Sequence, residues 1–159
     1  MIASPTTPPP APGELAPDFT VGSTAGAPVA LSSYRGTKSV LLAFFPLAFT
    51  SVCTAELCDF SADFDQFAGR DVEVLPISVD SVPTLREFKN KYGMKVTLLS
   101  DFKRDVSRAY GVLLPEKFHS TRAYFLIGKD GRIAWRHVER SSGEKRANAE
   151  VLAEIAKLG

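Results

Sequence analysis

The sequence predicts an α/β protein: a central mixed β-sheet flanked by helices, preceded by a short pair of N-terminal strands. Two observations carry this expectation. Strand-like apolar runs alternate with helical patterns along most of the chain, the order of a sheet covered by helices. Late in the chain the alternation gives way to two strand patterns, Arg122 to Ile127 and Arg132 to Val138, joined by Gly128-Lys-Asp-Gly131. An Asp-Gly step between apolar runs marks a hairpin, so part of the sheet is antiparallel.

The elements follow in order. Residues 1–12 are rich in proline, which favours extended, solvated backbone, and read as a flexible tail before a domain at 13–159. Ala16 to Val21 alternates like a short strand, and Val29 to Leu31 is its partner, followed by a helical turn closed by Gly36. Ser39 to Phe45 is too uniformly apolar to have a wet face, the pattern of a central strand covered on both sides. Pro46 stops it. Beyond Thr50 and Ser51, apolar side chains fall at Cys53, Leu57, Phe60, Phe64 and Phe67, steps of four and three that trace one face of a helix ended by Gly69. Asp71 to Val79 is a strand and Val82 to Tyr92 a helix closed by Gly93. A short strand around Leu98-Leu99, a brief helix at Arg104 to Tyr110, the hairpin and a helix from Glu144 to Leu158 complete the chain.

Composition narrows the function. A formal charge of +1 argues against a strong electrostatic pull on nucleic acid or anionic membrane. The longest apolar run, Val40 to Phe45, falls far short of the ~20 residues that span a bilayer. The start lacks the basic and apolar segments of a secretory signal, and two cysteines are poor evidence for a disulfide scaffold, so a cytoplasmic location is expected by elimination.

Chemistry concentrates in Phe44-Phe-Pro-Leu-Ala-Phe-Thr-Ser-Val-Cys-Thr-Ala-Glu-Leu-Cys58. Cys53 falls in the first turn of a helix after a buried strand, where unpaired N–H groups and the positive end of the helix dipole favour thiolate over thiol. The thiolate is the nucleophile. Thr50 is placed to put a hydroxyl beside it, and equally suits an N-cap. Pro46 bends the chain and helps shield the site from water.

Pro46-x-x-x-Thr50-x-x-Cys53 resembles the active-site motif of the peroxiredoxins. The flanks Phe44-Phe-Pro-Leu-Ala-Phe-Thr are similar to the alkyl hydroperoxide reductase E branch, and Cys53-Thr-x-Glu-x-Cys58 to the peroxiredoxin Q, or bacterioferritin-comigratory, branch. Ala16-Pro-Asp-Phe19, Leu99-Ser-Asp101, Tyr110-Gly111 and the strand opened by Arg122 extend the resemblance over nearly everything from residue 13 onward. Arg122-Ala-Tyr-Phe125 departs from it, since many relatives have threonine where Tyr124 stands.

The resemblance implies a thioredoxin-like fold and a thiol peroxidase that reduces hydrogen peroxide and organic hydroperoxides without metal or organic cofactor. Cys53 attacks the peroxide and becomes a sulfenic acid. Arg122 favours the thiolate and polarises the O–O bond, Thr50 and backbone N–H groups hold the oxygens in line, and Pro46 excludes water. Cys58 resolves the sulfenate as an intramolecular disulfide, re-reduced by thioredoxin or a related thiol, in a monomer or homodimer. Five helical residues separate two Cα atoms by roughly 8–9 Å, and a disulfide needs less than about 7 Å. The first turns of the helix are therefore expected to unwind in each cycle. Other readings stay open: an idle thiol at Cys58 in a one-cysteine peroxidase, a surface role for Arg122, a thioredoxin-like disulfide oxidoreductase, or a redox-regulated binding module. The last two differ from a peroxidase in a steady-state assay with hydroperoxide. His119, His137 and Trp135 are given no role.

Overall fold

A computed structural model describes residues 7–139 and 145–158. Its main sheet has seven strands in the order β2-β1-β5-β4-β3-β8-β9. These are β1 (Thr20–Ser23), β2 (Val29–Ala30), β3 (Ser39–Phe44), β4 (Val72–Ser78), β5 (Leu99–Ser100), β8 (Ala123–Ile127) and β9 (Ile133–Val138). β3, β4 and β5 run parallel, while β8 against β3, β9 against β8 and β1 against β5 are antiparallel, so the sheet is mixed as expected. The helices are α1 (Ser51–Ala62), α2 (Phe64–Ala68), α3 (Val82–Tyr92), α4 (Asp105–Ala109) and α5 (Asn148–Ala156). Leu31–Tyr34 forms a 3-10 turn.

All six residues of β3 are buried because both its faces are covered. Successive side chains point to opposite faces of a sheet. Leu41, Ala43 and Phe45 meet Leu57 and Phe60 of α1, Leu85 and Phe88 of α3, and Val151 and Ile155 of α5. Val40, Leu42 and Phe44 meet Ala16, Leu31, Val106 and Tyr110 on the other side. Pro76 sits inside β4 without breaking it. The Ile77 carbonyl accepts from Phe45 N–H, so the backbone of Ile77 faces β3 and that of Pro76 faces β5. Pairing on that side begins only at Ile77, and the N–H that proline lacks is not needed.

Two local expectations are corrected, a third is shifted by one residue, and one ribbon is an addition. The helix read as continuous from Ser51 to Gly69 divides at Asp63 (φ −98°, ψ 15°). There the Asp63 N–H still donates to the Asp59 carbonyl at 3.1 Å, and the Asn148 side chain donates to the same carbonyl at 2.9 Å and to the Asp63 carboxylate at 2.8 Å, capping the end of α1. The first strand begins at Thr20 because the preceding residues pair elsewhere, Ala16 N–H donating to the Gly131 carbonyl at 2.9 Å. The short strand is Leu99–Ser100, one residue later than its apolar pair suggests. Leu113–Leu114 (β6) and His119–Ser120 (β7) form a two-stranded ribbon too short to leave a periodic signature. Within the proline-rich start, Arg136 Nη1 donates to the Pro9 carbonyl at 2.6 Å and Pro10 is buried. Residues 1–6 and Glu144, the expected start of the last helix, lie outside the described residues. No helix among those described is long and apolar enough to cross a membrane.

Candidate active site

β3 delivers the chain to the site at the C-terminal end of a parallel strand, where α/β proteins commonly place ligands. Pro46 is buried directly after it. Phe49 takes a left-handed backbone (φ 67°), which turns the chain into Thr50 and α1. The Asp80 carboxylate pins this turn, accepting from Ala48 N–H at 2.8 Å and from the Ser78 hydroxyl at 2.7 Å. Phe49 packs its ring against Phe88 at a centroid distance of 4.9 Å, which helps offset the cost of a bulky residue at positive φ.

Thr50 occupies the N-cap position, but its hydroxyl donates to the Leu47 carbonyl at 2.8 Å instead of closing the cap. Thr54 N–H donates to the Thr50 carbonyl at 2.9 Å, the first helical bond. The N–H groups before it lack helical acceptors and gather at the start of α1 with the positive end of its dipole. Cys53 is the third residue of that helix and only 1 % exposed.

Arg122 reaches the same point from the residue preceding β8. Its Nη2 donates to Cys53 Sγ at 3.0 Å, and its Nη1 donates to Glu56 Oε1 at 2.6 Å. Arg122 and Glu56 are 1 % and 2 % exposed, so a wholly buried ion pair borders the sulfur. The Tyr124 hydroxyl donates to the other oxygen of Glu56 and accepts from Arg146 N–H at 2.9 Å. Burial works against the Arg122 charge, but the neighbouring Glu56 and Cys53 outweigh it and raise the guanidinium pKa above its ordinary value. Burial pushes the Glu56 carboxyl up, and Arg122, the Tyr124 hydroxyl and Lys145 pull it back only in part. Burial, with Glu56 next, also pushes the Tyr124 phenol up, so Tyr124 is a hydrogen-bond donor at neutral pH.

Cys58 lies on the same unbroken α1, half-buried, with its thiol free. Burial, followed by the adjacent Asp59 carboxylate, raises its pKa. The structure thus brings together Cys53 and Arg122 and places Pro46 and Thr50 on the turn leading to α1, while holding Cys58 five residues further along the helix. Sequence reasoning gave Glu56, though part of the Cys53-Thr-x-Glu-x-Cys58 motif, no role, and did not single out Asp80. Glu56 had a legible signal: three residues after Cys53, it is an acid on the helix face that must be buried. Asp80, two residues beyond β4, had none.

Comparison with known proteins gives the arrangement its context. The AhpC/TSA family model matches residues 12–136. Alkyl hydroperoxide reductase E of Mycobacterium tuberculosis is 38 % identical over 136 residues, 84 % of this chain and 88 % of that protein. Peroxiredoxin 2 of Thermoplasma acidophilum is 36 % identical over 77 % of this chain and 64 % of its own length. Among solved structures, the reduced 2-Cys peroxiredoxin of Plasmodium vivax superposes with a TM-score of 0.84 at 34 % identity, covering 92 % of this chain and 94 % of the other. Peroxidoxin BcpB from M. tuberculosis gives a TM-score of 0.83 at 28 % identity, over 93 % and 97 %. The chain belongs to the AhpC/TSA family, the peroxiredoxins, and is a thiol-dependent peroxidase.

Proposed function

We propose that Cys53 is the attacking thiolate for hydrogen peroxide and organic hydroperoxides, and that Cys58 resolves the product. The observation that carries this reading is the 3.0 Å contact from Arg122 Nη2 to Cys53 Sγ at the start of α1. A cation and a helix N-terminus together stabilise the anion that must attack. Cys53 S⁻ attacks the terminal oxygen of ROOH, an S–O bond forms and the O–O bond breaks. RO⁻ leaves and takes a proton to become ROH, and Cys53 is left as a sulfenic acid. Arg122 and the first N–H groups of α1 stabilise charge on the departing oxygen. The Thr50 hydroxyl, donating to Leu47, keeps lone pairs to accept a hydrogen bond from the peroxide O–H. Pro46 keeps water out. Leu47 and Phe49 are exposed and offer an apolar rim to an alkyl group.

Resolution follows by attack of Cys58 sulfur on Cys53 sulfur. The S–S bond forms, the S–O bond breaks, and hydroxide leaves as water with the Cys58 proton. A thioredoxin-type dithiol then re-reduces the disulfide. Because α1 holds the two sulfurs apart, its first turns unwind as the bond forms. One equivalent of hydroperoxide is expected to give a monomeric, intramolecular disulfide by intact mass and on non-reducing gels. Cys58→Ser is expected to consume one equivalent of peroxide and stop as a sulfenic acid that over-oxidises readily. Wild-type protein accumulating sulfenic acid with no disulfide would instead identify a one-cysteine peroxidase served by an external thiol.

The raised Cys58 pKa sets the pH dependence of resolution. Only the thiolate attacks, so the rate of disulfide formation is expected to rise with pH and to be still rising past about pH 8.5, where an ordinary thiol is half ionised. A plateau near neutrality in stopped-flow traces would contradict this.

A further inference from the structure

We propose that Tyr124 and Asn148 are positioning residues that hold α1 in its reduced shape, keeping Cys53 against Arg122 and restraining the unwinding that lets Cys58 reach it. The inference rests on the peroxidase reading of Cys53 and Cys58 and adds what governs the two steps.

The Tyr124 hydroxyl uses its donor on Glu56 and an acceptor lone pair on Arg146 N–H. One oxygen therefore joins three segments: β8, α1 and the chain entering α5. Glu56 lies three residues after Cys53 and two before Cys58, so unwinding the span between the cysteines must move it. It is fully buried, and its two oxygens accept from Arg122 and Tyr124. Hydrogen bonds to an ionised acceptor are roughly twice as strong as neutral ones. The same chain holds the next turn. Lys145 Nζ lies 2.7 Å from Asp59 Oδ2, and the Asn148 amide donates to the Asp59 carbonyl and the Asp63 carboxylate. Asp59 adjoins Cys58, so contacts from this one segment fasten the turn that directly follows the residues that must unwind.

This geometry gives the two half-reactions opposite signs. Without the phenol, Glu56 is less firmly held and orients the Arg122 plane less well, so oxidation of Cys53 slows. The same loss releases α1, so disulfide formation quickens. Simple structural damage would slow both.

The test is single-turnover mixing of reduced Tyr124→Phe and Asn148→Ala with hydrogen peroxide, quenched and read by intact mass. Phenylalanine keeps the ring that lies beside Trp135 and His137, so Tyr124→Phe is expected to fold. In Tyr124→Phe, sulfenate should form at least threefold more slowly and disulfide roughly tenfold faster, the scale of one hydrogen bond to a charged group. Asn148→Ala should likewise speed disulfide formation several-fold. Any other pattern in Tyr124→Phe, or an unaltered second step in Asn148→Ala, overturns the proposal. A wild type that forms no disulfide would remove Cys58 as the resolving thiol, and the positioning role is then read by amide exchange in reduced protein. Exchange across residues 53–60 should rise roughly tenfold in both variants, and unchanged exchange would overturn the role independently.

Discussion

Cys53→Ser is expected to keep the fold and lose hydroperoxide turnover completely. Serine fills nearly the same buried space in the core cluster that holds Cys53 and can accept the Arg122 hydrogen bond. Its hydroxyl does not ionise at neutral pH and is no substitute for a thiolate. The measurement is peroxide consumption with a thioredoxin system in excess, with thermal unfolding as the control for folding. Retained turnover in a folded variant would overturn the assignment of Cys53 and every step built on it.

Arg122→Ala is expected to damage both catalysis and stability, and the two losses separate. The cation beside the sulfur disappears, so Cys53 alkylation at neutral pH should slow. Peroxide reduction should fall about 100-fold or more, as when a fixed oxyanion donor is removed. Glu56 is meanwhile left as a buried carboxylate without its arginine, which costs about 3–5 kcal/mol. The sign of the pH dependence follows from Glu56. Its pKa in the folded protein is already raised by burial and climbs further without Arg122. The folded state then binds a proton more tightly than the unfolded chain, so the stability deficit is smallest at low pH and grows as pH rises through that folded value. Adding Glu56→Gln removes the buried charge and should recover much of the stability while leaving peroxide reduction slow, as urea titration and stopped-flow kinetics of the double variant would establish.

The sequence made visible whatever depends on local patterning. Ser39 to Phe45 shows a fully covered strand because every position is apolar, and Val82 to Tyr92 shows a helix by its period and its closing Gly93. The start of α1 is equally legible, since Pro46, Thr50 and Cys53 lie within eight residues. What stayed hidden is pairing across distance. Arg122 was suspected from its place in a family pattern, but nothing local could say that Glu56, 66 residues earlier, would share its guanidinium. Tyr124 read as a departure, and its meaning waits on Arg146, which reaches it only after the chain has passed through β9. The break at Asp63 is hidden for the same reason. The apolar stripe runs on through Phe64 and Phe67, and the side chain that fastens the end of α1 comes from Asn148.

The chain has only two cysteines, and both are on α1. Its oxidation state is therefore a number that can be counted. Alkylated after denaturation, the reduced protein carries two labels, the sulfenate one and the disulfide none, and hyperoxidised Cys53 also leaves one but is heavier than the sulfenate by at least one further oxygen. With no other thiol to blur the tally, label stoichiometry read during turnover gives the population of each catalytic state directly, without a coupled assay and without altering a residue.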